Sequence, residues 1–171
     1  MKGLFVGRFQ PFHLGHLKAI KWILERCEKV TIVIGSSRES FTERNPFTVE
    51  ERKEMVKRSL EEESVGEDKY EIIGIPDVFD CERWVKSILN KAKFEVVFSR
   101  NSWVKECFDL FEIPVKKHPM FREYSARKIR RMMMEDEDWK RLIPNGSGKI
   151  IKNIDYKKRL KDESKEDKSK S

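Results

Sequence analysis

The chain has 171 residues, which suits one domain and is too short for two full ones. With 38% hydrophobic and 39% charged residues, and no apolar run near the roughly 20 residues that cross a bilayer, the composition argues against a membrane-spanning protein. The formal net charge of +7 favours an anionic partner, such as a nucleotide, a polyphosphate, RNA or an acidic surface.

Short apolar runs alternate along the chain with longer segments of helical period, which is typical of a parallel sheet covered by helices. Because crossovers between parallel strands are right-handed, we expect a Rossmann-like, doubly wound α/β sheet with helices on both faces and a helical C-terminal segment. Ligands of such sheets bind at the carboxyl ends of the strands. The predicted strands are residues 3–6, 30–34, 70–75, 96–98 and 113–115, and the predicted helices between them are residues 17–28, 49–62, 82–91 and 104–110. The predicted helix starts are a capping box of Thr48 with Glu51, Asp80 for the third helix, and Asn101 or Ser102 for the fourth.

The segment that joins the first predicted strand to the first predicted helix has the composition of a phosphate site. Free N–H groups and the positive end of the helix dipole attract anions there, and Gly7 and Gly15 let the backbone approach a ligand closely. His13 and His16 are three residues apart, so both imidazoles can occupy one side of the opening turn. Arg8 adds a permanent charge whose forked donors suit phosphate.

Two alternatives apply to this pair of histidines. They could form half of a metal site, or they could simply cap the helix and pack. A structural metal would need further ligands at suitable spacing, and His118 is the remaining histidine of the chain. Phosphate handling is therefore the favoured interpretation, and no metal site held by the protein is predicted.

A second basic segment begins at Ser125, which can cap a helix whose first turns carry Arg127, Lys128, Arg130 and Arg131. A hydroxyl, free helix N–H groups and guanidinium groups would together form an anion site. Taken alone, the segment is better explained as an ordinary basic, solvated helix. Its combination with the first motif favours a second contact to the same phosphate chain.

The motif Gly-Arg-Phe-Gln-Pro-Phe-His-x-Gly-His, which begins at Gly7, resembles the opening signature of archaeal-type nicotinamide-nucleotide adenylyltransferases. Its His-x-Gly-His core is shared by a wider nucleotidyltransferase superfamily, whereas the longer prefix is typical of the nicotinamide branch. The resemblance runs in order from about residue 3 to residue 144. Its other segments are Gly35-Ser36-Ser37, Asn45-Pro46-Phe47-Thr48 with Glu51-Arg52, Ile75-Pro76-Asp77, Trp84-Val85, Glu123-Tyr124-Ser125 and Ile129-Arg130-Arg131.

This resemblance implies an enzyme that joins nicotinamide mononucleotide and ATP into NAD and pyrophosphate, by in-line attack of the mononucleotide phosphate on the α-phosphorus. Mg²⁺ would accompany ATP, and the chain would assemble as a homo-oligomer. The implied catalytic residues are His13, His16, Arg8, Arg44 and Arg130. The implied ATP-binding residues are Gly7, Phe9, Gly15, Ser125 and Arg127, and Trp84 would stack on the nicotinamide ring. Since Trp84 also stands at helical spacing from Ile88, core packing is an equal alternative for its side chain.

Two positions depart from the family pattern. Phe41 stands where the family usually has histidine, and Arg127 stands where it usually has threonine after Ser-Gly. Other acceptors therefore stay open, including nicotinate mononucleotide, phosphopantetheine and a flavin precursor, and the nucleotide transferred could be CMP. A non-catalytic nucleotide- or RNA-binding module is the rival from another class, although nucleic acid and membrane are not the expected partners.

The segment Gly146-Ser147-Gly148-Lys149 is similar to the end of a Walker A loop but lacks the first glycine and the final hydroxyl of that motif. We expect no P-loop there.

The nucleotidyltransferase domain is predicted at residues 1–156, followed at residues 157–171 by a charged, disordered tail that a transferase would not need. Cys27, Cys81 and Cys107 have no C-x-x-C spacing, which predicts reduced thiols in a cytoplasmic protein.

Overall fold

The computed structural model describes residues 1–161. It groups the chain into two compact units, each built from separated stretches of sequence. The first unit comprises Met1–Gly7, Lys18–Ser37 and Val65–Met120, and the second comprises Arg8–Leu17, Arg38–Ser64 and the described residues from Phe121 onward.

The strands are β1 (Lys2–Gly7), β2 (Lys29–Ile34), β3 (Tyr70–Gly74), β4 (Val96–Phe98) and β5 (Val115–Lys116). The helices are α1 (Leu14–Leu24), α2 (Val49–Glu62), α3 (Cys81–Leu89), α4 (Ser102–Asp109), α5 (Ala126–Met134) and α6 (Asn145–Lys152), with short 3₁₀ turns at Glu67–Lys69 and Lys140–Leu142.

The first unit contains a five-stranded, fully parallel sheet in the order β3-β2-β1-β4-β5. The central strand β1 pairs with β2 on one side and with β4 on the other, so that Phe5 lies opposite both Ile32 and Phe98. The strand order reverses at β1, and this makes its carboxyl end, at Gly7, the topological switch point where such sheets bind ligands. The predicted doubly wound topology is confirmed.

Helices cover both faces of this sheet. On one face, Leu4, Val33 and Val97 pack against α3 and α4 through buried side chains that include Trp84 and Phe108. On the other face, a Cβ built on Gly3 would lie 3.4 Å from Ile23 of α1, and Trp22 of the same helix meets Phe98 edge to face. Alternate residues of the strands therefore supply two separate cores, as a sheet buried on both sides requires.

In the second unit, α2 and α6 pack closely because α6 presents small residues to its neighbour. A Cβ on Gly146 would lie 2.6 Å from the backbone nitrogen of Ser59, so this position accepts nothing larger than hydrogen. The segment that resembles part of a Walker A loop thus forms the first turn of a packed helix. At the start of α2, Thr48 and Glu51 form the predicted capping box.

The cysteines differ from the prediction. Cys81 and Cys107 form a disulfide that links α3 to α4, and Cys27 is free and buried. The prediction of three reduced thiols was wrong for this pair because its partners are 26 residues apart and meet only when the two helices pack side by side. No local spacing in the sequence signals such a bridge.

The chain remains ordered beyond the predicted domain end at residue 156. Residues 156–161 are helical, and Leu160 in this segment is 3% exposed. The predicted disorder of residues 162–171 lies outside the described residues. Within residues 1–161, no helix combines the length and the hydrophobicity that spanning a bilayer requires.

Candidate active site

His13 and His16 hold each other in a fixed orientation at the start of α1. The backbone N–H of His13 donates to Nδ1 of His16 over 3.1 Å, and the backbone N–H of His16 donates to Nδ1 of His13 over 3.3 Å. The rings stack with their centroids 3.5 Å apart and an angle of 17° between their planes. Because each Nδ1 accepts a hydrogen bond, each ring in its neutral form carries its proton on Nε2, which makes Nε2 the donor atom of that ring.

Aromatic side chains surround this pair. Phe12 stacks on His16 with centroids 5.6 Å apart, and Phe9 meets the same ring edge to face at 4.7 Å. The ring of Tyr124 is nearly parallel to that of His13, with centroids 6.4 Å apart and an angle of 22° between the planes. His13 is only 7% exposed, and burial lowers its pKa from 6.5 to about 4. His13 is therefore neutral at physiological pH and acts as a hydrogen-bond donor, without a cationic charge.

Gly15 makes the stacked arrangement sterically possible. A Cβ at this position would lie 2.9 Å from Cε1 of His13 and 3.0 Å from Cβ of Tyr124. Any larger residue would have to displace the imidazole or the tyrosine. The glycine of the His-x-Gly-His motif is thus needed for the position of its neighbour, in addition to the close backbone approach predicted from the sequence.

The lowered pKa of His13 predicts a specific pH dependence of stability. Its folded-state pKa of about 4 lies below the ordinary value of 6.5, so the neutral ring stabilises the fold above pH 6.5 and this contribution is lost as the pH falls from 6.5 towards 4. The loss should reach roughly 3 kcal/mol. His13→Asn keeps an acceptor near the Nδ1 position but cannot titrate. Urea unfolding at pH 7 and pH 4 should show a smaller pH-dependent loss of stability in this variant; equal losses would contradict the buried neutral state.

Four side chains fix the backbone that precedes the two imidazoles. Arg52 donates to the carbonyl of Arg8 over 2.9 Å, Arg130 to that of Gln10 over 2.9 Å, and Ser147 to that of Phe12 over 2.8 Å. The buried amide of Gln10 donates to the carbonyl of Phe47 and accepts from its N–H. The carbonyls of Arg8, Gln10 and Phe12 thus each accept a hydrogen bond from a different part of the second unit.

Sequence reasoning missed three of these positioning residues, Gln10, Arg52 and Ser147. A polar residue inside the apolar Phe-Gln-Pro-Phe stretch was a usable signal for Gln10. Arg52 is 0% exposed, and its donors reach the carbonyls of Arg8, Thr48 and Glu39. Arg52 belongs to a segment of the family resemblance, but its residue type and spacing do not distinguish a buried arginine from the solvated charges on the same helix.

Ser147 offers a test of this positioning. Ser147→Ala removes the donor to a carbonyl directly before His13, at a site that is 0% exposed, and leaves that carbonyl without its hydroxyl partner. We expect a loss of about 1–3 kcal/mol in unfolding free energy and a smaller loss of activity. Ser87→Ala is the matched control, because its hydroxyl donates only within its own helix, to the carbonyl of Trp84. Equal stability of the two variants would contradict the role assigned to Ser147.

A cavity of about 1040 Å³ lies in the second unit, and six cationic side chains line it. Among the described residues at its wall, Glu43 is the single carboxylate. Neither imidazole lines this cavity, whereas Arg8 of the same motif does. The lining residues are Arg8, Glu43, Arg44, Ser125, Ala126, Arg127, Lys128, Arg130, Arg131, Met134 and Leu160.

The start of α5 has the predicted capping geometry, since the hydroxyl of Ser125 accepts from the backbone N–H of Lys128 over 3.3 Å. Burial, followed by the charges of Arg8, Arg44 and Arg127, lowers the pKa of Arg130 to about 10, and Glu43 opposes the shift. Arg130 stays charged at neutral pH in a cluster of like charges. An anion in the cavity would relieve this repulsion.

The structure assembles most of the predicted site residues in one unit. Arg8, Arg44, Ser125, Arg127 and Arg130 line the cavity, and Phe9, His13, Gly15 and His16 form the turn described above. Gly7 and Trp84 belong to the first unit. The carbonyl of Gly7 accepts from the N–H of Gly35 over 2.9 Å. The Trp84 ring is 4% exposed and packs against Trp103 and Phe108, so its stacking on a ligand stays a prediction.

Along most of its length, the chain is similar in sequence to enzymes that transfer nucleotides. The cytidylyltransferase-like family model matches residues 4–132. The chain is 43% identical over 166 residues to the nicotinamide-nucleotide adenylyltransferase of Thermococcus sibiricus, covering 94% of this chain and 88% of the relative. It is 40% identical to the protein of the same name from Saccharolobus solfataricus, covering 94% and 95%.

Among solved structures, a bifunctional NMN adenylyltransferase/ADP ribose pyrophosphatase from Francisella tularensis, complexed with AMP and a Mn ion, superposes with a TM-score of 0.79. The sequences are 24% identical, and the match covers 93% of this chain and 51% of that protein. The chain therefore spans about half the length of this structural neighbour. At this identity the similarity supports the shared fold alone.

Proposed function

Because this chain belongs to the nicotinamide-nucleotide adenylyltransferase family, we propose that it transfers the adenylyl group of ATP to nicotinamide mononucleotide, giving NAD and pyrophosphate. One structural observation carries the proposal. The second unit combines two paired imidazoles, each with a donor Nε2, and a cavity lined by six cationic side chains. Such an arrangement suits a polyphosphate approached by a second anion.

The reaction requires no protein nucleophile. An oxygen of the mononucleotide phosphate attacks the α-phosphorus of ATP in line, the bond from that phosphorus to the bridging oxygen breaks, and pyrophosphate leaves. The attacking phosphate is already an anion at neutral pH, so no general base is needed. Catalysis therefore consists of bringing two anions together and stabilising the charge that develops on the leaving group.

Each predicted site residue has a proposed part in this task. The Nε2–H groups of His13 and His16 donate to phosphate oxygens, and the charges of Arg8, Arg44 and Arg130 offset the anions. Ser125 and Arg127 contact the triphosphate at the start of α5. Gly7, Phe9 and Gly15 shape the turn through close approach and ring contacts. The geometry of the turn and the cavity lining support these roles.

Mg²⁺ is proposed to enter with ATP. Within the described residues, no group of three or more histidine, cysteine or acidic side chains could hold a metal by itself. A cation that is coordinated mainly by the phosphate oxygens of ATP does not need such a group. Glu43 would offer it one carboxylate at the cavity wall. When bound, Mg²⁺ would supply charge neutralisation between the phosphates.

Trp84 is proposed to stack on the nicotinamide ring, in line with the sequence resemblance. Its ring is buried, and the ring of Trp103, which is 40% exposed, lies 4.8 Å away at an angle of 55°. Stacking on a flat, partly cationic ring would require this packing to open. The homo-oligomeric state and the cytoplasmic location stay predictions.

The proposed function is tested by incubating the protein with ATP, Mg²⁺ and one acceptor at a time. The acceptors are nicotinamide mononucleotide, nicotinate mononucleotide, phosphopantetheine and flavin mononucleotide. We expect pyrophosphate release, with a dinucleotide product, to be fastest with nicotinamide mononucleotide. Release with a different acceptor alone would overturn the substrate assignment, and binding of ATP without release would favour a non-catalytic nucleotide-binding module.

A further inference from the structure

Arg159, in the helical segment of residues 156–161, contacts the loop that carries Arg44. Its Nη1 lies 2.7 Å and 2.9 Å from the two carboxylate oxygens of Glu51, and 3.1 Å from the carbonyl oxygen of Pro46. Its guanidinium carbon lies 4.3 Å from the ring centroid of Phe41. The side chains of Arg159 and Glu51 are each 18% exposed.

These contacts reach both ends of a narrow loop. The N–H of Phe41 donates to the carbonyl of Pro46 over 3.4 Å, and the N–H of Asn45 donates to the hydroxyl of Thr42 over 3.0 Å. Arg44 therefore lies at the tip, while Phe41 and Pro46 form the two sides of the stem. Arg159 stacks on one side of the stem and hydrogen-bonds to the other.

The two sides of the stem are joined only weakly by the loop itself, because the backbone hydrogen bond between Phe41 and Pro46 is long. At 3.4 Å, the bond across the stem is at the limit of useful geometry. A charge-assisted hydrogen bond between two side chains that are each only 18% exposed is stronger than an exposed ion pair. Glu51 is itself fixed, since it also accepts from the N–H of Thr48 in the capping box of α2.

We propose that Arg159 is a positioning residue that holds the Arg44 loop against the phosphate-binding cavity. The adjacent Leu160 is buried and lines the same cavity, so the C-terminal segment contributes to the site as well as to its support. This inference rests on the proposed function and deepens it. It also reverses the expectation from sequence that a transferase would not need the residues beyond 156.

The first test compares two variants that each remove one positive charge. Arg159→Ala deletes the contacts to the loop, whereas Lys158→Ala removes an exposed neighbouring cation that makes none of them. We expect Arg159→Ala to lower kcat by about tenfold with the KM for nicotinamide mononucleotide changed by less than about twofold. Lys158→Ala should match the wild type. Because one nitrogen makes all three polar contacts, Arg159→Lys should recover most of the lost activity.

A double-mutant cycle with Arg44→Ala separates positioning from general destabilisation. If Arg159 acts through Arg44, the loss caused by Arg44→Ala should be several-fold smaller in the Arg159→Ala background than in the wild type. Multiplicative losses would overturn the proposal. If Arg159→Ala does not fold, the same cycle is measured with Arg159→Gln. Multiplicative losses in that cycle would likewise overturn the proposal.

Nucleotide binding provides a readout that needs no acceptor. Affinity for α,β-methylene-ATP should fall in both Arg44→Ala and Arg159→Ala, and again less than multiplicatively in the double variant. If the wild type binds this analogue but makes no NAD, the proposed function fails while the positioning of Arg44 is still measured.

Truncation after Lys158 should weaken binding of the analogue, and truncation after Lys161 should not. Equal affinity of the two truncated proteins would contradict the proposal.

Discussion

His16→Ala is expected to lower turnover by at least about a hundredfold while leaving the fold intact. Removing one preorganised donor from a site of developing negative charge costs on the order of 2–4 kcal/mol of transition-state stabilisation. The Nε2–H of His16 is such a donor, because its Nδ1 is occupied by the N–H of His13. Steady-state kcat with ATP and nicotinamide mononucleotide measures the loss, and the melting temperature reports on the fold.

Two further variants separate the roles of this ring. His16→Asn places an acceptor near the Nδ1 position and keeps the cap on the His13 N–H, but it has no donor near the Nε2 position. His16→Gln does the reverse. We expect the asparagine variant to be as inactive as alanine but more stable, and the glutamine variant to retain more activity. Turnover within a few-fold of wild type in the asparagine variant would reject the donor role.

Arg130→Met is the second substitution with a large expected effect. It removes a guanidinium that lines the cavity and donates to the carbonyl of Gln10, so both anion binding and the position of the turn should suffer. We expect kcat/KM for ATP to fall by about a hundredfold or more. The unliganded protein should lose little stability, because the lost hydrogen bond is offset by relief of the repulsion from Arg8, Arg44 and Arg127.

Arg141→Met is the control, since it removes one positive charge from the second unit outside the cavity wall. Raising the ionic strength should weaken ATP binding by the wild type and by the control to the same degree. A loss of ATP affinity in Arg141→Met as large as that in Arg130→Met would show that net charge, rather than the placed guanidinium, governs binding.

The sequence predicted the fold class because the signals of a parallel sheet are local. Apolar runs marked the strands, and Thr48, Asp80 and Asn101 cap helices as predicted. The boundaries were less accurate. Helix α1 begins at Leu14, three residues before the predicted start, because the two histidines cap each other's N–H groups in place of the usual hydroxyl or carboxylate cap.

Features that depend on tertiary packing could not be predicted. The division into two interleaved units, the Cys81–Cys107 bridge and the buried Arg52 each join stretches that are far apart in sequence or look like their neighbours. Residue types at fixed spacing predicted the histidine pair and the basic start of α5. They could not predict that Arg159, in an apparently featureless charged segment, would pair with Glu51.

The proposed function requires a triphosphate held by the paired imidazoles and the cationic cavity, and a crystal structure with α,β-methylene-ATP and Mg²⁺ tests this directly. The predicted result places phosphate oxygens within about 3 Å of Nε2 of His13 and His16, and the remaining phosphates against Arg44, Ser125 and Arg130. Nucleotide bound away from these residues, or imidazoles whose Nε2 atoms contact only protein, would contradict it.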